Sequence, residues 1–254
     1  MLLVIGIDAA TWKIIKPNID RLPNIRGLMD EGIYKTLPSD KRPISASAWC
    51  SIFSGKMPEE HKNTDFVVDG ELQTREKIRV DFIWDVLDKQ GYDVKALNIP
   101  FVIPPYNFNC GFKPVGYGLP ETPGEWGEEL HEITEKSLEI LNGKPDLLCV
   151  AYSLLDRVQH FHWGEEEFIT RWYEKVDKAI GNLIPYGDKL IVLSDHGFCN
   201  REEAEVQTLP EKTPRGEIKG DHHRDGILIT KNVDFEINRL QDVYFAIKKE
   251  IKNG

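Results

Sequence analysis

The chain is poor in the features that mark secreted, membrane and nucleic-acid-binding proteins. Its four cysteines, Cys50, Cys110, Cys149 and Cys199, are scattered through 254 residues and form no CxxC pair. With Cys149 inside an apolar run, a disulfide framework is excluded, and reduced structural thiols in a cytoplasm are expected. No apolar run approaches the about 18–20 residues needed to span a bilayer, so no membrane association is expected. The amino-terminal MLLVIGI lacks a basic lead-in and runs straight into Asp8. It reads as a buried strand and not as a signal peptide. No Lys/Arg run lies on an aromatic-rich strand, and the net charge is −10. A nucleic-acid polymer is therefore not an expected partner. Internal repeats, low-complexity segments and linkers are also lacking.

What is present is ordinary globular material. Apolar residues make up 41% and charged residues 29% of the chain, which excludes extended disorder. The length suits one large α/β domain, or two small ones, with a sizeable core. Three short, continuous apolar runs have the pattern of central parallel strands: Leu2–Ile7, Leu147–Tyr152 and Leu190–Leu193. Weaker strands are expected over 32–37, 92–97 and 227–229. Helices are expected over 23–29, 82–90, 125–141, 166–183 and 241–252, with glycines at 32, 91 and 143 as stops. Residues 56–80 read as loop and hairpin. Residues 99–124, rich in Pro and Gly, read as an extended surface or lid segment. Residues 200–219 show no periodicity. Strand, polar residue and helix alternate, which predicts a mostly parallel sheet with helices on both faces.

Each of the three central runs ends in side chains that can do chemistry. The first runs into Asp8, the second into Asp156 and His160, and the third into Asp195 and His196. The carboxyl ends of strands are where open α/β sheets place ligands. Each candidate also has a plainer explanation. Asp8 could cap the next helix; a phosphatase with an aspartate nucleophile would want a second Asp two residues on, and Ala10 stands there. Asp156 and His160, at i and i+4, share a helical face, and either chelate a metal or form a hydrogen-bonded pair. PISASAWCSIF reads as a loop feeding a helix, so Ser45 either meets a phosphate at a helix N-terminus or serves as a cap. GDHHRDG, before the last strand, is a tight turn or a metal loop, with His222 or His223 as the ligand. Taken together, Asp8, Ser45, Asp156, His160, Asp195, His196 and His222 supply three carboxylates, three imidazoles and one hydroxyl. That donor set suits two divalent ions of the zinc, manganese or iron kind, a common device in phosphoryl transfer.

Seven segments carry a family resemblance: GIDAATWKII, LPNIRGLMDEGIY, PISASAWCSIFSGKMPEEH, NIPFVIPP, DRVQHFHW, LSDHGF and GDHHRDGILI. In this order they resemble the type I phosphodiesterase/nucleotide pyrophosphatase family of the alkaline phosphatase superfamily, in its compact prokaryotic branch of predicted phosphohydrolases and phosphomutases. The resemblance implies a three-layer αβα sandwich spanning residues 1–254 as a single domain, without a large inserted cap domain. It implies that Asp8, Ser45, Asp195 and His196 hold one metal, zinc before manganese or iron, with Ser45 as nucleophile. Asp156, His160 and His222 are then the ligands of a second metal, His222 being preferred to His223 because the family pattern is Gly-x-His. The implied reaction is a two-step displacement on a small phosphorylated substrate, through a phosphoseryl enzyme that water then hydrolyses.

The chain departs from the family in several places. Phosphodiesterase members usually carry Thr where Ser45 stands, and Ser is the nucleophile in the superfamily's monoesterases and mutases. Ser47 replaces a usual Pro, and Lys62 a usual Gly. The Asn with which nucleotide pyrophosphatases contact phosphate aligns with Phe66. No sulfatase signature follows Ser45, and the mutase's inserted domain has no room between Ser45 and Asp156. The expectation is thus a metal-dependent phosphoesterase, on diester or nucleotide-type substrates. A phosphomonoesterase or phosphomutase is the alternative, and a non-catalytic binder of a phosphorylated ligand is the alternative of another class.

Overall fold

Leu2–Ile7 is buried at every position, which an apolar run achieves only as a central strand covered on both faces. The computed structural model, which describes residues 1–69, 71–73, 75–99, 122–213 and 216–252, places this run as strand β1. It is followed by helices α1 (Trp12–Ile15) and α2 (Pro23–Glu31) and strand β2 (Ile33–Pro38). Helices α3 (Ser45–Ser54) and α4 (Pro58–His61) lead to a small hairpin of β3 (Val67–Val68) and β4 (Glu71–Leu72), then to α5 (Ile83–Asp88) and β5 (Val94–Leu97). The long helix α6 (Pro123–Asn142) precedes β6 (Leu147–Tyr152), α7 (Leu154–His162), α8 (Glu166–Leu183) and β7 (Lys189–Leu193). Strands β8 (Gly197–Asn200), β9 (Lys212–Thr213), β10 (Gly216–Glu217), β11 (Gly220–His223) and β12 (Asp225–Lys231) come before the last helix, α9 (Asp242–Lys252).

The main sheet has the order β2-β12-β7-β1-β6-β5. β7, β1, β6 and β5 run parallel, and only β12 opposes its neighbours. Alternation along the strands splits the core in two. Leu3, Ile5 and Ile7 face α1, α2, α6, α7 and α8, whereas Leu2 and Val4 face α3, α5 and α9. The result is an α/β fold with helices on both faces of a mixed, mostly parallel sheet. Register then does the placing: Ile7 lies beside Tyr152 and Gly6 beside Leu193. The three central strands therefore end together, and the residues that follow them share one edge of the sheet.

Local chemistry adjusts the expected boundaries. Helix α6 begins two residues earlier than its apolar pattern, because Thr122 and Glu125 form a capping box ahead of Pro123,. The stretch around residues 220–223 is neither a turn nor a loop: it is β11, paired antiparallel with β8. Within 200–219, where no element was expected, lies the hairpin β9–β10. Most of the expected lid segment, 100–121, and with it Cys110, lies outside the described residues. Cys50, Cys149 and Cys199 are buried free thiols.

Candidate metal centre

The side chains at the common strand edge converge. Asp8 follows β1 and does not cap α1, whose cap is Thr11 accepting from Lys13 N. Ser45 is the first residue of α3; the cap position is Ile44, with no side-chain cap bond. The Ser45 hydroxyl instead meets His196 Nε2 at 3.0 Å. His196 Nε2 lies 3.4 Å from Asp195 Oδ2 and 3.6 Å from Asp8 Oδ1. A second group forms beside it. His160 Nε2 and His222 Nε2 are 3.1 Å apart, and Asp156 Oδ1 is 3.0 Å from the latter and 3.4 Å from the former. The rings of His196 and His222 stack with centroids 3.8 Å apart, joining the two groups. All seven candidate residues are thus brought together. His223, the alternative to His222, points away from them, its Nδ1 accepting from Asp225 N, as the two-residue alternation of a strand requires.

The backbone orients all three imidazoles alike. His196 Nδ1 faces the Gly197 carbonyl at 2.9 Å, His160 Nδ1 faces that of Gly220 at 3.0 Å, and His222 Nδ1 faces that of Pro43. A carbonyl only accepts, so each Nδ1 carries its proton and each Nε2 lone pair is turned inward, the usual arrangement for metal-ligating histidine.

The charges in this pocket do not balance by themselves. Burial, then the charges of Asp195 and Asp156, push the Asp8 carboxyl well above the usual range. Burial and then Asp156 push Asp195 up to about 7. Asp156 goes the other way: against its burial, the charges of His160 and His222 hold it well below the usual range. Burial works against a charge on His222, yet the Asp156 carboxylate raises it, whereas burial and then His222 hold His196 well down. Three carboxylates gathered at one site, two of them buried, cannot all ionise without a countercharge. Asp8 Oδ1 and Asp195 Oδ2 are buried with no hydrogen-bond partner among the described residues, a costly state in a closed site. Divalent cations would satisfy both oxygens and reverse these shifts. Two sets have ligand atoms mutually within 4.8 Å, Asp156–His160–His222 and Asp8–Asp156–His196, so Asp156 stands between them. The residues present therefore fit bound metal.

Other residues of the centre were not singled out from the sequence. Trp49 Nε1 donates to Asp8 Oδ2 at 3.3 Å; its place one helical turn after Ser45 was the available signal. Gly6 makes room for that ring, since a Cβ there would lie 2.4 Å from the Trp49 Cη2 atom. Gln159 Nε2 donates to the Ala9 carbonyl at 3.0 Å. Asp221, buried and paired with Arg201 at 2.9 Å, accepts from the His222 N–H. On the other flank of α3, Asn63 Nδ2 donates to the Ala46 carbonyl at 2.8 Å. No pattern in the sequence announces the Gln159 contact, because its partner is a main-chain carbonyl 150 positions away in the chain.

A sequence model of the type I phosphodiesterase / nucleotide pyrophosphatase family matches residues 2–253. No curated protein sequence matches the chain significantly. Solved structures are similar in fold at low identity. A phosphonoacetate hydrolase from Sinorhizobium meliloti 1021, in complex with phosphonoacetate, superposes with a TM-score of 0.75 at 12% identity, over 97% of this chain and 94% of that one. Murine ectonucleotide pyrophosphatase/phosphodiesterase 5 superposes with a TM-score of 0.71 at 12% identity, over 99% of this chain and 95% of that one. An inactive form of the latter, in complex with AMP, gives a TM-score of 0.69 at 12% identity, over 99% of this chain and 94% of that one.

Proposed function

Because the chain belongs to the type I phosphodiesterase / nucleotide pyrophosphatase family, whose members hydrolyse phosphoric esters, we propose that it does so with a two-metal site and Ser45 as nucleophile. The observation that carries this is the convergence, beside a buried serine hydroxyl, of three inward Nε2 atoms and two carboxylate oxygens with no partner among the described residues. In this reading Asp8, Asp195 and His196, with Ser45, hold one ion, and Asp156, His160 and His222 hold the other. Zinc is the first choice, manganese or iron the next. Such ions supply a lowered hydroxyl pKa and neutralisation of phosphate charge.

The chain's own residues do the rest. Ser45 Oγ attacks phosphorus in line; the Oγ–P bond forms as the ester P–O bond breaks, and the leaving oxygen departs with the electron pair and takes up a proton. Water then cleaves the phosphoseryl bond and restores the hydroxyl. The first turn of α3, free of a side-chain cap, turns main-chain N–H groups and the positive end of the helix toward the attacked phosphate.

A small diester or nucleotide-type substrate is the first reading for this chain; AMP, held by an inactive form of one structural relative, is nucleotide-type, whereas phosphonoacetate, held by the other, carries a phosphonate group and no ester linkage to phosphorus. Ser45 in place of Thr, and Phe66 in place of Asn, favour a monoesterase or mutase as the second. A binder without turnover is the third. One sheet built from residues 2–231 supports reading 1–254 as a single unit without a cap domain. No described helix is long and apolar enough to cross a membrane.

The test is elemental analysis of metal content together with hydrolysis of bis-p-nitrophenyl phosphate and p-nitrophenyl phosphate. About two metals per chain, with diester turnover abolished by Ser45→Ala, is the expected result. Monoester preference would move the reading to a phosphatase. Metal without turnover would make the chain a binder, and activity indifferent to Ser45 would overturn the proposal.

A further inference from the structure

Ala9, immediately after Asp8, has a φ of 60° and is fully buried. It is the third residue of a turn closed by Ala10 N–H donating to the Ile7 carbonyl at 3.1 Å. Turns with positive φ at this position ordinarily take glycine or asparagine there. Alanine gains nothing locally from the conformation, so the surroundings must impose it. They do so from three sides. Ala9 N–H points at Asp195 Oδ1, 3.4 Å away. Ser194 Oγ donates to the Ala10 carbonyl at 3.0 Å. Gln159 Nε2 donates to the Ala9 carbonyl at 3.0 Å.

Gln159 is the informative contact, because it sits on α7 between Asp156 and His160 and has no exposure to solvent. Its amide is locked at both ends. Tyr173 Oη accepts from Thr11 N–H at 3.1 Å and donates to Gln159 Oε1 at 3.0 Å, which leaves the amide NH2 aimed at Ala9. One side chain thus ties the turn that carries Asp8 to the helical turn that carries Asp156 and His160.

We infer that Gln159 is a positioning residue: it fixes the Asp8 turn against α7, so that the two groups of ligands are preassembled as one metal site. The inference rests on the metal-site reading above. Without the Gln159 amide the Ala9 carbonyl is buried and unpaired, the turn relaxes toward ordinary φ, and Asp8 moves away from Asp156.

The test is titration of the full-length, metal-stripped protein with Mn2+, free Mn2+ being read by electron paramagnetic resonance. Gln159→Met keeps the volume and removes both hydrogen bonds. It is expected to bind Mn2+ about tenfold more weakly, the lower end of what outer contacts to metal ligands are worth. Tyr173→Phe is expected to give a smaller loss in the same direction. Ser137→Ala, which removes a buried hydroxyl bonded to the Ile133 carbonyl within α6, is expected to lower the melting temperature with no change in Mn2+ affinity. A folded Gln159→Met protein with wild-type affinity would overturn the inference. Should that variant not fold, unchanged affinity in Tyr173→Phe overturns it equally. A wild-type protein that binds no Mn2+, or an Asp8→Asn variant that binds as well as wild type, overturns the metal-site reading and the inference with it.

Discussion

Ser45 Oγ and His196 Nε2 stand 3.0 Å apart, although 151 residues separate them in the chain. The serine comes from the first turn of a helix on one face of the sheet, the histidine from the end of a central strand. Sheet register and the seating of α3 against β1 bring them together. Everything proposed about the chemistry depends on that meeting.

Removing the hydroxyl should remove the reaction. Ser45→Ala is expected to lower phosphoester hydrolysis by about a thousandfold or more, as loss of a nucleophile does elsewhere. Its metal content, measured by elemental analysis, should fall by no more than one ion per chain, because Asp156, His160 and His222, which hold the other ion, are untouched. A residual rate within tenfold of wild type would assign the nucleophile to another group.

Metal should be a large part of the protein's stability. Without a cation the site brings three carboxylates into mutual repulsion, and two of their buried oxygens have no hydrogen-bond partner among the described residues, so the folded state gains from a cation and the unfolded chain does not. At a free metal concentration a hundredfold above Kd the gain is about 2.7 kcal/mol. The melting temperature should fall on chelation and recover on adding Zn2+ or Mn2+. Indifference to both would contradict metal binding by the native state.

The Pro58–His61 turn should add an acid sensitivity of its own. Burial holds the His61 imidazole down from 6.5 to about 4. Its Nδ1 accepts from Asn63 N at 3.0 Å, and its Nε2 faces Ser51 Oγ at 3.1 Å, which in turn donates to Asp40 at 2.9 Å. Below 6.5 the unfolded chain takes up a proton that the folded protein refuses until about pH 4. Stability from this group is therefore complete above pH 6.5 and is lost as pH falls toward 4. Melting temperatures across that window should drop more steeply in wild type than in His61→Gln; parallel curves would show that His61 does not contribute.

Gly6→Ala should act on the site through Trp49. A methyl group there has no room against the indole ring, and overpacking of this kind costs about 1–3 kcal/mol. The displaced ring also withdraws a hydrogen bond from Asp8. The expected result is a lower denaturation midpoint together with weaker metal binding. Lower stability with unchanged metal affinity would make the Trp49 contact purely structural.

Much of the fold was legible because its signals are local. The run before Asp8, the run before Ser153 and the run before Ser194 are uniformly apolar, and only a strand covered on both faces uses such a run. Asp156 and His160 declared their shared face by spacing alone. Boundaries slipped where a cap outranked periodicity, as at Thr122. Residues 220–223 form a strand that the sequence conceals, because glycine and polar side chains break its apolar pattern and its partner, β8, is equally short. The usual Gly replaced by Lys62 sits at a φ of 58°, a left-handed position where glycine avoids a steric penalty.

The sequence by itself determined the three central strands, the polar residues at their ends and the family, because apolar period and motif order are properties of neighbouring residues. Only the tertiary structure decided that His222 and not His223 faces Asp156, that Trp49 and Gln159 reach Asp8 and Ala9, and that Asp156 lies between the two ligand groups. Those relationships arise from strand register, helix seating and main-chain carbonyls met across more than a hundred residues, and no local pattern in the chain encodes them.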